Sequence, residues 1–164
     1  MKRTILSLAI LTLIMAPAAF AATATANLNV SASVSAVCTI TTSPVAFGAY
    51  DPVSANAATD LNANGTVTVA CTKGAAATID LGNGGNFLGG SRRMSSGTDF
   101  LNYALYKDAA RTQVWGTGLA GGTTAAYNAA SKAPTAITVY GTVPQAQDVT
   151  VGAYSDVVVA TINY

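Results

Sequence analysis

Thr25-Ala-Asn-Leu-Asn-Val-Ser-Ala-Ser-Val-Ser-Ala36 alternates without a fault. Its odd positions are Thr25, Asn27, Asn29, Ser31, Ser33 and Ser35, all hydroxyl or amide. Its even positions are Ala26, Leu28, Val30, Ala32, Val34 and Ala36, all apolar. Successive side chains of a strand point to opposite faces, so this pattern predicts one long β-strand with a wet face and a dry one. At about 3.4 Å per residue it would span roughly 40 Å, about twice the usual strand. Fully burying Leu28, Val30 and Val34 is worth about 1.5–3 kcal/mol each, so the dry face requires a partner. That partner is either the strand's own sandwich or another subunit that accepts an added strand. No tight two-residue turn follows to enforce hairpin pairing; the chain runs on into Val37-Cys38-Thr-Ile-Thr-Thr-Ser-Pro44.

Upstream of this segment, Met1-Lys2-Arg3 supplies positive charge, Ile5 to Met15 is apolar apart from Ser7 and Thr12, and Ala19-Phe20-Ala21 gives a small-x-small site. These are the three parts of a secretory signal peptide, here residues 1–21, with cleavage between Ala21 and Ala22. Its apolar run is too short to span a bilayer, and the mature chain has no second candidate span. Removing Lys2 and Arg3 leaves six bases against seven acids, a net charge of −1.

Export places Cys38 and Cys71 in an oxidising route, where an even count favours one disulfide. Closing a loop of this size would stabilise the fold by about 3.7 kcal/mol in the chain-entropy account. A redox or nucleophilic role has no His partner and no C-x-x-C spacing to support it.

Downstream, Gly65–Cys71, Ala77–Leu81, Leu101–Tyr106, Ala136–Tyr140 and Val157–Tyr164 are short runs rich in Val, Ile, Thr and Tyr. Breakers separate them, including Asp51-Pro52, Asn64-Gly65, Gly82-Asn-Gly-Gly85, Gly89-Gly90, Gly121-Gly122 and Val143-Pro144. The expected fold is an all-β sandwich or barrel. The Ala-rich pieces 53–63 and 125–133 are expected as loops, because their Asn, Thr, Ser and Gly neighbours oppose a helix.

Composition narrows the function. The chain has no His and no Glu, and only 9% of it is charged, against about 25% in an ordinary soluble domain. Histidine acid–base chemistry is therefore excluded, and two cysteines cannot complete a Cys/His zinc site. Nucleic acid binding lacks its basic stripe. No cofactor is implied. Gly82-Asn-Gly-Gly85 has no following Lys-Ser or Lys-Thr, so it reads as a turn and not a phosphate loop. Asp99 and Asp108 read as solvated turn positions before they read as a catalytic pair, and Asp51 and Asp156 likewise. Arg92-Arg93 reads as exposed, and Trp115 beside Gly116 as core.

The order of motifs resembles the spore coat U domain family, which includes the Csu-type pilins of archaic chaperone–usher fimbriae. The resemblance is carried by the alternating arm, Val37-Cys38-Thr39, Phe47-Gly-Ala-Tyr-Asp51 and Gly65-Thr-Val-Thr-Val-Ala-Cys71. Ile79-Asp-Leu-Gly-Asn-Gly84, Arg93-Met94, Leu101-Asn-Tyr-Ala-Leu-Tyr-Lys-Asp-Ala-Ala-Arg-Thr112 and Trp115-Gly116 continue it. Tyr140-Gly-Thr-Val-Pro144, Gly152-Ala-Tyr-Ser-Asp-Val157 and Thr161-Ile-Asn-Tyr164 complete it over essentially the whole mature chain.

The resemblance implies an incomplete immunoglobulin-like β-sandwich at 37–164, lacking its last strand, with an N-terminal donor strand at 22–36. It implies three partners: a periplasmic chaperone that fills the gap, an outer-membrane usher, and identical or related pilin subunits whose arms replace the chaperone strand. Carried onto this chain, the donor positions are Ala26, Leu28, Val30, Ala32 and Val34. The acceptor groove and chaperone-pairing positions are Val158, Ala160, Ile162 and Tyr164. The implied product is a fimbrium on the surface of a Gram-negative bacterium, serving attachment and biofilm formation. The competing reading is a secreted adhesin or coat-like surface protein binding a glycan or surface. A hydrolase is the third, and without His and Glu it is not expected to be an enzyme.

Overall fold

The computed structural model describes residues 20–164. The expected signal peptide lies outside the described residues except at its end, where Phe20, Ala21 and Ala22 are exposed and in neither helix nor strand. Val34–Tyr164 is one compact unit. Residues 20–33 are not part of it; they form no helix or strand, and every one of them is exposed.

Leu61–Cys71 (β2) is the strand on which the sandwich is assembled. Its Gly65, Val67, Val69 and Cys71 are buried while the residues between them are partly exposed, the period-two pattern of a half-buried strand. It pairs antiparallel with Cys38–Ser43 (β1) on one side and with Thr135–Val143 (β7) on the other. Phe100–Tyr106 (β5) pairs with β7, and Arg92–Ser95 (β4) closes that sheet, giving the order β1-β2-β7-β5-β4. The facing sheet is shorter. Ala76–Leu81 (β3) lies between Ala125–Asn128 (β6) and Ala160–Asn163 (β8), all antiparallel. The fold is all-β, an incomplete immunoglobulin-like sandwich, and among the described residues no helix is long and apolar enough to cross a membrane.

The core forms where the alternating dry faces meet: Val67 and Val69 of β2, Ile79 and Leu81 of β3, Leu101, Tyr103 and Leu105 of β5, and Val139 and Val143 of β7. Trp115 is completely buried among them, and its indole N–H donates to Ile79 O at 2.9 Å while its backbone N–H donates to Leu105 O. One residue thus ties β3 to β5 across the sandwich.

Four expectations change. Residues 25–36, expected as one long strand, are in no strand, because no strand edge among the described residues pairs with them. Ala125–Asn128 is a strand because β3 has a free edge there to supply its ladder, and Leu61–Ala63 joins β2 for the same reason. The final strand is shorter than the run Val157–Tyr164, because its ladder with β3 ends at the Leu81–Ala160 pair, with a single Gly82 N–H to Val159 O bond beyond it. Arg92 is the largest difference: it is 1% exposed, not a surface base. Its Nη2 donates to Leu81 O, Gly82 O and Trp115 O at 2.6–2.8 Å, and its Nε donates to Gly82 O at 2.9 Å. Arg93 alone is partly exposed, lying 4.1 Å over the Phe100 ring.

Candidate functional site

An apolar groove of about 1100 Å³ opens along one side of the sandwich. Its edges are the chain after β1, residues 43–50, and the chain before β8, residues 149–158. Its floor is core: Val67, Leu81, Leu101, Leu105, Val139 and Val143 all line it. A closed sandwich would have a strand here. Neither edge has a strand partner on the groove side; residues 44–50 and 156–159 are in no strand.

The first edge is pressed onto the large sheet by two glycines. A Cβ at Gly65 would stand 2.7 Å from Val45 Cγ2, and one at Gly141 would stand 2.6 Å from Val45 Cγ1 and 2.8 Å from Phe47 Cζ. Real side chains do not approach that closely, so glycine lets Val45 and Phe47 lie flat over β2 and β7. Phe47 then meets Tyr103 edge-on, with ring centroids 6.3 Å apart.

The second edge is held by hydrogen bonds instead of a ladder. Asp99 accepts from Thr150 N–H at 2.8 Å, and Tyr154 O–H donates to Thr150 O at 2.7 Å. Ser155 exchanges backbone bonds with Ser95. Asp156 is the hub: it accepts from Tyr103 O–H at 2.6 Å, from Gly85 N–H at 2.8 Å and from Asn86 Nδ2 at 3.3 Å. Gly84 sits so close to the Asp156 carboxylate, at φ +85°, that no side chain would fit there. Burial, reinforced by the hydrogen bond to Asp156, pushes the Tyr103 phenol well above its ordinary range. It therefore stays a donor at any physiological pH and keeps the edge fixed.

The other acids serve turns. Asp51 accepts from Val53 and Ser54 N–H, and Asp108 from Thr112 and Gln113 N–H. Among the described residues no group of three or more Cys or Asp side chains is placed to hold a metal. The groove can therefore take an extended chain that presents apolar side chains on one face and unpaired backbone at its edges.

Of the positions assigned from sequence, Val158 and Ala160 line this groove. Ile162 instead pairs with Ile79 and packs on the core, and Tyr164 is exposed beyond β8. Val45, Phe47, Leu101, Leu105 and Val143 also line the groove and were not assigned from sequence, although Leu101 and Leu105 stand at alternate positions of a strand pattern. Cys38 and Cys71 form a disulfide at directly opposed positions of β1 and β2. Ala26, Leu28, Val30, Ala32 and Val34 are all exposed, Leu28 at 88% and Val30 at 87%.

These features define a class: a β-sandwich one strand short, with its core open along the gap. The chain belongs to the Spore Coat Protein U domain family, whose model matches residues 24–161. It is 41% identical over 128 residues to Protein U of Myxococcus xanthus, covering 72% of this chain and 70% of that one. Its fold is similar to that of a chain in the crystal structure of the CsuC–CsuE chaperone–tip adhesion subunit pre-assembly complex, from the archaic chaperone–usher Csu pili of Acinetobacter baumannii. That match has a TM-score of 0.52 and 21% identity, and covers 80% of this chain. This chain spans 40% of the length of that solved chain.

Proposed function

We propose that this chain is a structural fimbrial subunit that polymerises by donating residues 22–36 as a strand to the groove of a neighbouring copy. The observation that carries the reading is a complementary pair within one chain: an exposed, perfectly alternating segment and an apolar groove that opens onto the core. Nine residues from Ala26 to Val34 extend about 31 Å. The groove's lining segment 149–158 has a similar number of residues.

In this reading Leu28, Val30 and Val34 enter the groove, with Ala26 and Ala32 at its narrower places. Each large side chain contributes about 1.5–3 kcal/mol on burial. Each new backbone hydrogen bond along the unpaired edges adds about 0.5–1.5 kcal/mol. Before assembly the same groove is an aggregation hazard, which a periplasmic chaperone strand covers and an outer-membrane usher exchanges for the next subunit. Residues 1–21 direct export, residues 37–164 form the accepting sandwich, and the product lies on the surface of a Gram-negative cell. Attachment and biofilm formation are the roles such a filament serves.

Val30→Arg tests the reading. The variant should be exported and captured by chaperone, yet form no heat-resistant multimers on non-reducing gels and no filaments by electron microscopy. Normal multimers from that variant would refute the donor assignment.

A further inference from the structure

The register of β2 sets the polarity of the groove. At one pole Cys71 faces Cys38, and Cys38 and Ile162 pack together beside Ala75 and Ala129. At the other, about 34 Å away along the ten steps of β2, Leu61 faces Val143, and Tyr50 O–H donates to Pro144 O. The groove's Ala160 end points toward the first pole and its Tyr50 and Val149 end toward the second.

The proposed arm leaves from the first pole, and it leaves without slack. The Thr72 hydroxyl accepts from Val37 N–H at 3.1 Å and donates to Ser35 O at 3.2 Å, while Thr72 N–H donates to Val37 O at 2.9 Å. Ser35 is thus anchored one residue after Val34. A neighbour that holds Val34 in its groove is therefore in contact with the donor's root pole. Inserting the arm with its root at the neighbour's Ala160 end would bring two like poles together, an isologous arrangement that closes as a dimer. Inserting it with the root at the Tyr50 end sets unlike poles together and propagates.

The turns at the two poles carry opposite charge. The root-pole turns 71–76 and 129–134 contain exposed Lys73 and Lys132 and no acid. The far-pole segments 49–60 and 144–152 contain exposed Asp51, Asp60 and Asp148 and no base. In a mature chain with six bases in all, this separation is pronounced.

We infer that the acidic far pole is an interaction surface for the lysine-bearing root pole of a second copy of this chain. The contact guides the arm into the groove in one direction and stiffens the joint afterwards. The inference rests on the strand-donation reading.

Charge reversal tests it. The full-length subunit carrying Lys73→Asp and Lys132→Asp should polymerise several-fold more slowly at low salt, with little difference left at high salt. Its filaments should bend more, read as a shorter persistence length in electron micrographs. Adding Asp148→Lys to those two changes should restore much of the rate; Asp148 is chosen because Asp51 also holds a turn and Asp60 accepts from Gln145 N–H. A synthetic peptide of residues 23–36, which has no lysine pole, should enter wild-type and Asp148→Lys grooves equally fast. Wild-type rate and stiffness in the lysine variant, no recovery with Asp148→Lys, or a slowed peptide would each overturn the inference. Failure of strand donation itself reads differently: the wild-type chain would form no multimers that Val30→Arg abolishes.

Discussion

Arg92 shows how much a single residue can do that its neighbours in sequence conceal. Its guanidinium sits where Leu81 and Gly82 leave β3 and where Trp115 enters the core, and it donates to the carbonyls of all three. Buried carbonyls without donors cost about 1–3 kcal/mol each, and bonds to a charged donor are worth about 1.5–3 kcal/mol. Arg92→Leu should therefore destabilise the protein by at least about 3 kcal/mol in urea unfolding. Arg93→Leu, one residue on and partly exposed, should cost far less. A pair of adjacent arginines in a Gly and Ser-rich stretch gives no sign of this division, because it arises from the direction each side chain takes from β4.

Asp156 is a similar case. As a turn residue before the last strand it was legible, but its carboxylate joins Tyr103, Gly85 and Asn86, which lie 53 to 71 positions away. Only the folded chain brings them together.

At the level of elements, the sandwich is built from strands whose alternation was readable and edges that were not. β2, β3, β5 and β7 follow their period-two patterns, because each has one face on a shared core. Ala125–Asn128 lacks that signal; it becomes a strand through its ladder to β3. Residues 149–158 fail in the opposite sense, since they contain strand-forming residues but have no complete ladder. The Cys38–Cys71 disulfide ties β1 to β2 beside the root of the proposed arm. Replacing both cysteines with Ser should lower stability by about 3–4 kcal/mol on the loop-entropy account. The accumulated level of the protein in expressing cells should fall accordingly, and normal accumulation would mean that the β1–β2 ladder suffices alone.

At the scale of the whole molecule, stability should follow pH on two limbs. Backbone N–H donors hold three carboxylates below the ordinary 3.8: chiefly Ser54 for Asp51, Thr150 for Asp99 and Gln113 for Asp108. Groups whose folded pKa is depressed stabilise the native state above the unfolded value, and that contribution is lost as pH falls through the folded one. Tyr103 is displaced the other way, first by burial and then by its bond to Asp156. Its contribution is full below its ordinary value of 10.0 and is lost as pH rises beyond it. The midpoint of thermal unfolding should therefore be nearly flat from about pH 5 to 9, and should fall below about pH 4 and above about pH 10. Tyr103→Phe should reduce the alkaline limb and leave the acid one in place.

What the sequence determined by itself was everything set by local pattern: the all-β class, the period of the main strands, the cysteine pair, and the amphipathic segment Thr25–Ala36 that needs a partner. Spacing of side chains along an extended chain encodes these directly. The tertiary structure alone decided which elements face one another. It placed Val45 and Phe47 over Gly65 and Gly141, buried Arg92, gathered the groove from residues 42 to 160, and set Lys73 and Lys132 at one pole with Asp51, Asp60 and Asp148 at the other. Those relations depend on long-range register between strands, and the local spacing of residues does not contain it.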